Sequence, residues 1–337
     1  MQAASATGSE SGRVVVQVPA STANLGPGFD SLGMALSLFA WVSMAPAEQT
    51  RILLVGDNLE GIPEDKTNLI YEVAQAVFRK AGVDLPELEI GIRSDIPLTR
   101  GLGSSAAAIV GALVAANALT GYALSEDELF QMASELEKHP DNVGASLFGG
   151  IVAASWDGER ADYVRIEPPE GLEVMAAIPE FELETKKARS ALPEQVSMKD
   201  AVFNVTHSSL LTAALASGRL DLLSRAMRDR LHQPYRAALI PGMETILREA
   251  PDHGALGAAL SGAGPTLLLL ADTAQISDGK LAAFVERVMS AEGIRVETRW
   301  LKVCLHGPQV RHVAKGDPEF EQEPQAYLQS VQAEVGV

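Results

Sequence analysis

The stretch GLGSSAA, Gly101–Ala107, sets two glycines and two serines ahead of an Ala-rich apolar run. Residues without a Cβ let a backbone close on a phosphate. The first N–H groups of a helix lack intrachain partners and, with the positive end of the helix dipole, bind anions. Ser104 and Ser105 suit the start of such a helix, serine being a good N-cap. The same residues also fit a capped helix entering a crowded core. The stretch lacks the Lys-Ser/Thr ending of a Walker A loop. It matches G-x-G-x-x-A, a weak dinucleotide fingerprint. However, DIPLTR separates the preceding strand from the glycines, and the surroundings are not a parallel βαβ unit, so that reading is disfavoured.

Four further clusters carry chemistry. PASTANLGPGFD, Pro19–Asp30, has Asn24 and Asp30 as hydrogen-bonding ends, or is a plain turn. SELEKHPDNVG gathers Glu135, Glu137, His139, Asp141 and Asn142 at a helix end. A carboxylate such as Glu137 could hold Mg2+ against phosphate oxygens; a solvated helix terminus is the plainer alternative. SGAGPT, Ser261–Thr266, allows another close backbone approach or forms a hairpin turn. Arg189 in ETKKARSALP and Arg236 in LHQPYRAALIPG offer guanidinium forks for a carboxylate. Taken singly, either arginine also fits a surface charge.

These groups need a scaffold, and 337 residues are enough for two domains with real cores. The net charge of −17 argues against a nucleic-acid or anionic-membrane partner, while leaving room for a small anion. A single cysteine, Cys304, excludes an intrachain disulfide and fits a reducing compartment. The six histidines are scattered, without zinc-ligand spacing. The N-terminus lacks signal-peptide features. Gly101–Ser125 is uncharged, yet its strongly apolar part, Ala106–Leu119, is too short for a membrane span and reads as a buried helix.

Strands are expected at Arg13–Pro19, ended by Pro19, then in LSLFAWVSMAP, RILLVG and LPELEIGIRSDIP. NLIYEVAQAVFRKAG has helical spacing with Gly82 as its stop. Ser125 and Glu128 form a capping box for the next helix. The chain turns near Glu167–Gly171. Beyond it, helices are expected at Met198–Ser217, Leu220–Leu231, Met243–Glu249 and Lys280–Ala291, and a last strand near Val296–Val303. The order is α+β. The division is a disordered lead-in at 1–12, an N-terminal domain at 13–167, a C-terminal domain at 168–310 and an acidic tail at 311–337.

In their order along the chain, VPASTANLGPGFDSLGMAL, PLTRGLGSSAAAIVGAL, EKHPDNVGASLFGG and LSGAGPT resemble the GHMP kinase superfamily. ANLGPGFD, HPDNV, ETKKAR and LHQPYR resemble its homoserine kinase branch, and the likeness runs from about Arg13 to Val303. The resemblance implies a two-domain α+β fold. Its N-terminal domain would be like the second domain of ribosomal protein S5, with a left-handed crossover, and its C-terminal domain ferredoxin-like. It implies a cytoplasmic homodimer that uses ATP and Mg2+ to phosphorylate the side-chain hydroxyl of L-homoserine. The product would be O-phospho-L-homoserine for threonine biosynthesis. The alternatives are a GHMP kinase acting on another small alcohol, or a non-catalytic ATP- or metabolite-binding member.

The resemblance also implies roles. Pro97, Leu98, Thr99, Arg100, Gly101, Leu102, Gly103, Ser104, Ser105, Ala106 and Ala107 would wrap the ATP phosphates, with Asn68 near the adenine. Ser105 and Glu137 would hold Mg2+. Asn24, Asp30, His139, Asp141, Asn142, Arg189, Arg236, Gly262 and Gly264 would surround homoserine, Asp30 taking the amino group and the arginines the carboxylate. Asn142, Thr185 and Arg189 would stand at the transferring group. Relatives such as mevalonate kinase have a catalytic aspartate where this chain has Asn142. Catalysis here would rest on positioning and charge stabilisation, with Asp141 as the alternative proton acceptor. Only Lys138 separates Glu137 from His139, which leaves Glu135 as the alternative metal ligand.

Overall fold

The computed structural model describes residues 12–56, 59–274 and 279–315. Residues 1–11 of the expected lead-in and 316–337 of the expected tail lie outside the described residues.

Strands β1 (Arg13–Asn24) and β2 (Gly28–Pro46) form a long antiparallel hairpin. Pro19 does not end β1. The pairing slips there, from Pro19 opposite Phe39 to Ala20 opposite Leu36. Such an irregularity accommodates a residue without an N–H, and the strand runs on to Asn24. Strand β3 (Arg51–Val55) lies parallel to β4 (Leu88–Ser94), with helix α1 (Leu69–Ala81) in the connection. Helices α2 (Ser104–Leu119), α3 (Glu126–Glu137) and α4 (Asp141–Phe148) follow, then β5 (Ile151–Trp156) and β6 (Ala161–Ile166). The expected capping box at Ser125 and Glu128 opens α3. The first sheet runs β1-β2-β4-β3, with β5 on the lower part of β2 and β6 beyond it. Helix α2 packs on β1 and β2 and touches α1, α3 and α4. It is apolar all round because it is surrounded by protein.

The second unit comprises β7 (Leu172–Pro179), α5 (Thr185–Ser190), α6 (Met198–Ala216), α7 (Leu223–Ala226), α8 (Gln233–Arg236), α9 (Met243–Glu249), β8 (Gly257–Leu260), β9 (Leu267–Asp272), α10 (Lys280–Ala291) and β10 (Val296–Lys302). Its antiparallel sheet runs β10-β7-β9-β8. Helices fill the β7–β8 and β9–β10 connections. This is the ferredoxin-like arrangement expected.

The helix expected at Leu220–Leu231 is only a 3-10 turn followed by α7. The Asp229 carboxylate accepts the N–H groups of Leu231, His232 and Gln233 at 2.7–3.0 Å, which competes with a continued helical ladder. Strand β11 (Gln309–Val313) returns to pair with β1. The boundary expected at 310/311 therefore falls inside a strand of the first sheet. One apolar core continues from the first sheet and its helices to β7, β9 and α6; a second lies among β8, β9, α9 and α10. Among the described residues, no helix is long and apolar enough to cross a membrane.

Candidate active site

A cavity of about 180 Å3 opens where the two units meet. Helix α2 points its first turn into it: Ser104, Ser105 and Ala106 form part of the wall. The expected serine cap is absent. Gly103 is the N-cap, left-handed at φ 71°, and supplies no side-chain cap to the first-turn N–H groups. A Cβ at Gly103 would land on the Ser21 hydroxyl, and one at Gly101 on the Ser261 carbonyl. Both glycines are therefore required by close approach as well as by their positive φ.

The loop before α2 is held by the second unit. The Ser261 hydroxyl donates to the Gly101 carbonyl at 2.6 Å, and Thr266 N–H donates to the Arg100 carbonyl at 3.2 Å. Leu183 N–H donates to the Thr99 carbonyl, and Arg100 donates to the Glu180 carbonyl at 2.7 Å. Thr99, Gly101 and Gly103 reach the cavity wall, whereas Pro97, Leu98, Arg100, Leu102 and Ala107 do not line it. Asn68 lies off the wall. It caps α1, accepting from Ile70 N–H and donating to the Pro63 carbonyl.

Glu137, the last residue of α3, faces the cavity with a buried Oε1 that has no hydrogen-bond partner. Glu135 is exposed and off the wall. No group of three or more His, Cys, Asp or Glu among the described residues could hold a metal ion. Ser105 and Glu137 are thus a partial set. That suits Mg2+, which keeps waters and takes phosphate oxygens beside one or two carboxylates.

At the base of α4, His139 Nδ1 lies 2.9 Å from Asp141 Oδ1. Burial opposes the charged form of His139, but Asp141, helped by Glu137 and Asp30, outweighs it and raises the histidine pKa. Asp141 is buried and also accepts Asn142 N–H at 2.7 Å. The Asn142 amide has one sense. Its Oδ1 accepts the Ser21 hydroxyl at 3.0 Å, Ser146 donates to Ser21 in turn, and its Nδ2 lies 3.4 Å from Asp141 Oδ1. A flipped amide would set oxygen against carboxylate. Asn142 therefore offers the cavity a donor, and no proton acceptor.

Opposite, Arg189 grips Asp30 with two hydrogen bonds, 2.7 and 3.0 Å. Asp30 is fixed through its N–H by Asn24 Oδ1, while Asn24 Nδ2 donates to the Gly262 carbonyl at 2.8 Å. Both ends of the Asn24 amide are thus engaged within the protein. Thr185 begins α5 one turn before Arg189. Arg236 is 1% exposed, and burial together with nearby Arg189 lowers its guanidinium pKa to about 10. It stays charged at neutral pH. Gly262 reaches the wall; Gly264 stands behind it, its N–H on the Ser261 carbonyl.

Ser21, Phe29, Asp229 and His232 hold no role among the expected site residues, yet they lie against Asn142, Arg189, the Gln233 backbone and Arg236 respectively. Ala23, Leu183 and Ala263 also reach the wall, but nothing in their residue types marks them. His232 lies inside LHQPYR, four residues before Arg236, and that helical spacing is itself a usable signal.

Family profiles match this chain twice: GHMP kinases N terminal domain over residues 68–150 and GHMP kinases C terminal over residues 211–294. The homoserine kinase of Moorella thermoacetica is 44% identical over 295 residues, 87% of this chain and 98% of that protein. The homoserine kinase of Deinococcus radiodurans is 43% identical over 297 residues, 88% of this chain and 96% of that protein. The crystal structure of homoserine kinase from Cytophaga hutchinsonii superposes with a TM-score of 0.80 at 31% identity, covering 89% of this chain and 97% of that one.

Proposed function

This chain belongs to the homoserine kinases of the GHMP kinase family, and we propose that its cavity transfers the γ-phosphoryl group of ATP to the side-chain hydroxyl of L-homoserine. The product is O-phospho-L-homoserine, for threonine biosynthesis. The observation that carries the reading is a single wall on which an uncapped helix N-terminus faces a charged cluster of Asp30, Arg189 and buried Arg236. The first end suits phosphates. The second suits a molecule bearing both an amine and a carboxylate.

The first-turn N–H groups of α2 and the backbone of Thr99–Gly103 cradle the phosphates. Arg236, with Arg189, takes the substrate carboxylate, and Asp30 takes the ammonium group. Substrate binding therefore exchanges the Asp30–Arg189 pair for two new ion pairs. The side-chain hydroxyl then points toward Asn142 and the γ-phosphate. Asn142 Nδ2 donates to oxygen as charge develops, and His139, hydrogen-bonded to Asp141, flanks it on the cavity wall. The bond from the γ-phosphorus to the bridging oxygen of ADP breaks as the bond to the hydroxyl oxygen forms. The hydroxyl proton becomes acidic only as that bond forms and passes to a phosphate oxygen, so no side-chain base is needed in a loose transition state. The buried, unpartnered Glu137 Oε1 and the Ser105 hydroxyl suit Mg2+, which when bound offsets charge on the β- and γ-phosphates.

We assign the protein to the cytoplasm, which fractionation of cells checks, and to a homodimer, which sedimentation velocity checks. ADP release with homoserine, threonine, serine, mevalonate and galactose tests the substrate. Turnover is expected with homoserine well above the rest. Preference for another alcohol would replace homoserine in this reading, and tight ATP binding without turnover would make the protein a binding module.

A further inference from the structure

We infer that His232 is a positioning residue that holds Arg236 as a charged, unpaired guanidinium and so makes the site demand a carboxylate on its substrate. The inference rests on the reading of the cavity as an amino-acid alcohol site.

The two arginines of the site are held in opposite ways. Arg189 has a carboxylate partner in Asp30, bidentate and half exposed. Arg236 is buried, and among the described residues no carboxylate lies within ion-pair distance of it. Its bonds all go to neutral acceptors: Nε to the Ala188 carbonyl at 3.3 Å, and Nη1 to the Gly262 carbonyl and to His232 Nδ1, each at 3.1 Å. Nη2 has no hydrogen-bond partner among the described residues. A buried guanidinium left this way is costly unless an anion completes it.

The state of His232 follows from its partners. A guanidinium can only donate, so Nδ1 must be bare. The ring proton is then on Nε2, which donates to the Gly26 carbonyl at 2.8 Å. The ring is fully buried, and burial lowers its pKa. Phe29 stacks on it with centroids 5.1 Å apart, and the Arg236 guanidinium lies over the same Phe29 ring. Asp229 Oδ2 is 3.6 Å from Nε2, but the Asp229 carboxylate is turned to the N–H groups of Leu231, His232 and Gln233 and to the Asn204 amide. It thus fixes the backbone that carries the ring. A carboxylate in the place of His232 would neutralise Arg236 and compete with the substrate. A neutral imidazole aims the guanidinium and leaves its charge for the ligand.

The test separates the two nitrogens. In His232→Asn the amide oxygen can stand near Nδ1 and still accept from Arg236. In His232→Gln the amide reaches the Nε2 position and keeps the bond to Gly26, but offers nothing at Nδ1. Rates are measured with L-homoserine and with 3-aminopropan-1-ol, the same alcohol without its carboxylate. The wild type is expected to prefer homoserine strongly, and His232→Asn to stay within about threefold of it. His232→Gln is expected to lose about 10- to 100-fold in kcat/KM for homoserine, the range for a hydrogen bond to a charged group. Its rate with aminopropanol and its KM for ATP should not change. Equal losses on both alcohols would show a merely structural role and overturn the inference, as would wild-type behaviour of His232→Gln or a loss in His232→Asn as large as in His232→Gln. A wild type that does not discriminate between the alcohols would instead overturn the carboxylate assignment itself, and the role of His232 with it.

Discussion

The two ends of the cavity are built from different materials. The end we assign to the nucleotide, Thr99 to Ala106, carries no charged side chain on the cavity wall and presents backbone: two close-packed glycines and an uncapped helix start. The acceptor end works through side chains brought from distant parts of the chain, Asp30 from β2, His139 and Asp141 from the start of α4, Arg189 from α5 and Arg236 from α8. Backbone donors recognise what phosphates share. Charged side chains in fixed positions recognise one particular arrangement of amine, carboxylate and hydroxyl. Each end should therefore fail in its own way when altered.

The largest effect is expected at the acceptor end. Arg236→Met should lower kcat/KM for homoserine about 1,000-fold, within the 2–5 kcal/mol that loss of a buried charge partner costs. Initial rates at varied ATP should show the ATP KM within about twofold of wild type. Next comes the nucleotide end. Gly103→Ala sets a Cβ on the Ser21 hydroxyl at a left-handed position, a conformation costing roughly 1–2 kcal/mol before the clash is counted. It should reduce kcat/KM for ATP about 100-fold and lower the melting temperature.

Between the ends, Glu137→Gln should weaken apparent Mg2+ affinity about 10-fold or more, and Glu135→Gln should leave it unchanged. A Mg2+ titration of both variants decides between them. The smallest effect belongs to Asp141→Asn. Asparagine can still accept from His139 and Asn142, so turnover should fall less than about tenfold. A loss near 1,000-fold, the upper range for a general base, would make Asp141 the proton acceptor.

The same contrast explains what could be read before the fold was known. Backbone recognition leaves a local trace, and Gly101, Gly103 and the serines after them mark, within seven residues, the loop we assign to phosphate. Side-chain recognition leaves none. Asp30, Arg189 and Arg236 are each ordinary in their own surroundings, and only the resemblance to homoserine kinases joined them. Elements with one dominant cause were legible, α1 with its Gly82 stop and α3 with its capping box, and α9 and α10 keep the bounds expected of them. The misreadings came where a distant or competing contact decided. A register slip carried β1 past Pro19, the Asp229 carboxylate cut short the helix after α7, and pairing with β1 drew Gln309–Val313 into a strand. Asn24 reaches the cavity wall with its amide engaged by Asp30 and Gly262, whereas Asn68, engaged with Ile70 and Pro63, caps α1 away from it. His232 was hidden for the opposite reason: it acts on Arg236 without facing the ligand.

The central claim is that this cavity joins the γ-phosphoryl group of ATP to the side-chain oxygen of homoserine. Phosphorus NMR of the wild-type protein with ATP, Mg2+ and L-homoserine tests it most directly. The account predicts loss of the γ-phosphate signal and growth of a monoester resonance split into a triplet by the adjacent methylene protons, with ADP formed in equal amount. Intact ATP, or inorganic phosphate in place of the monoester, would contradict it.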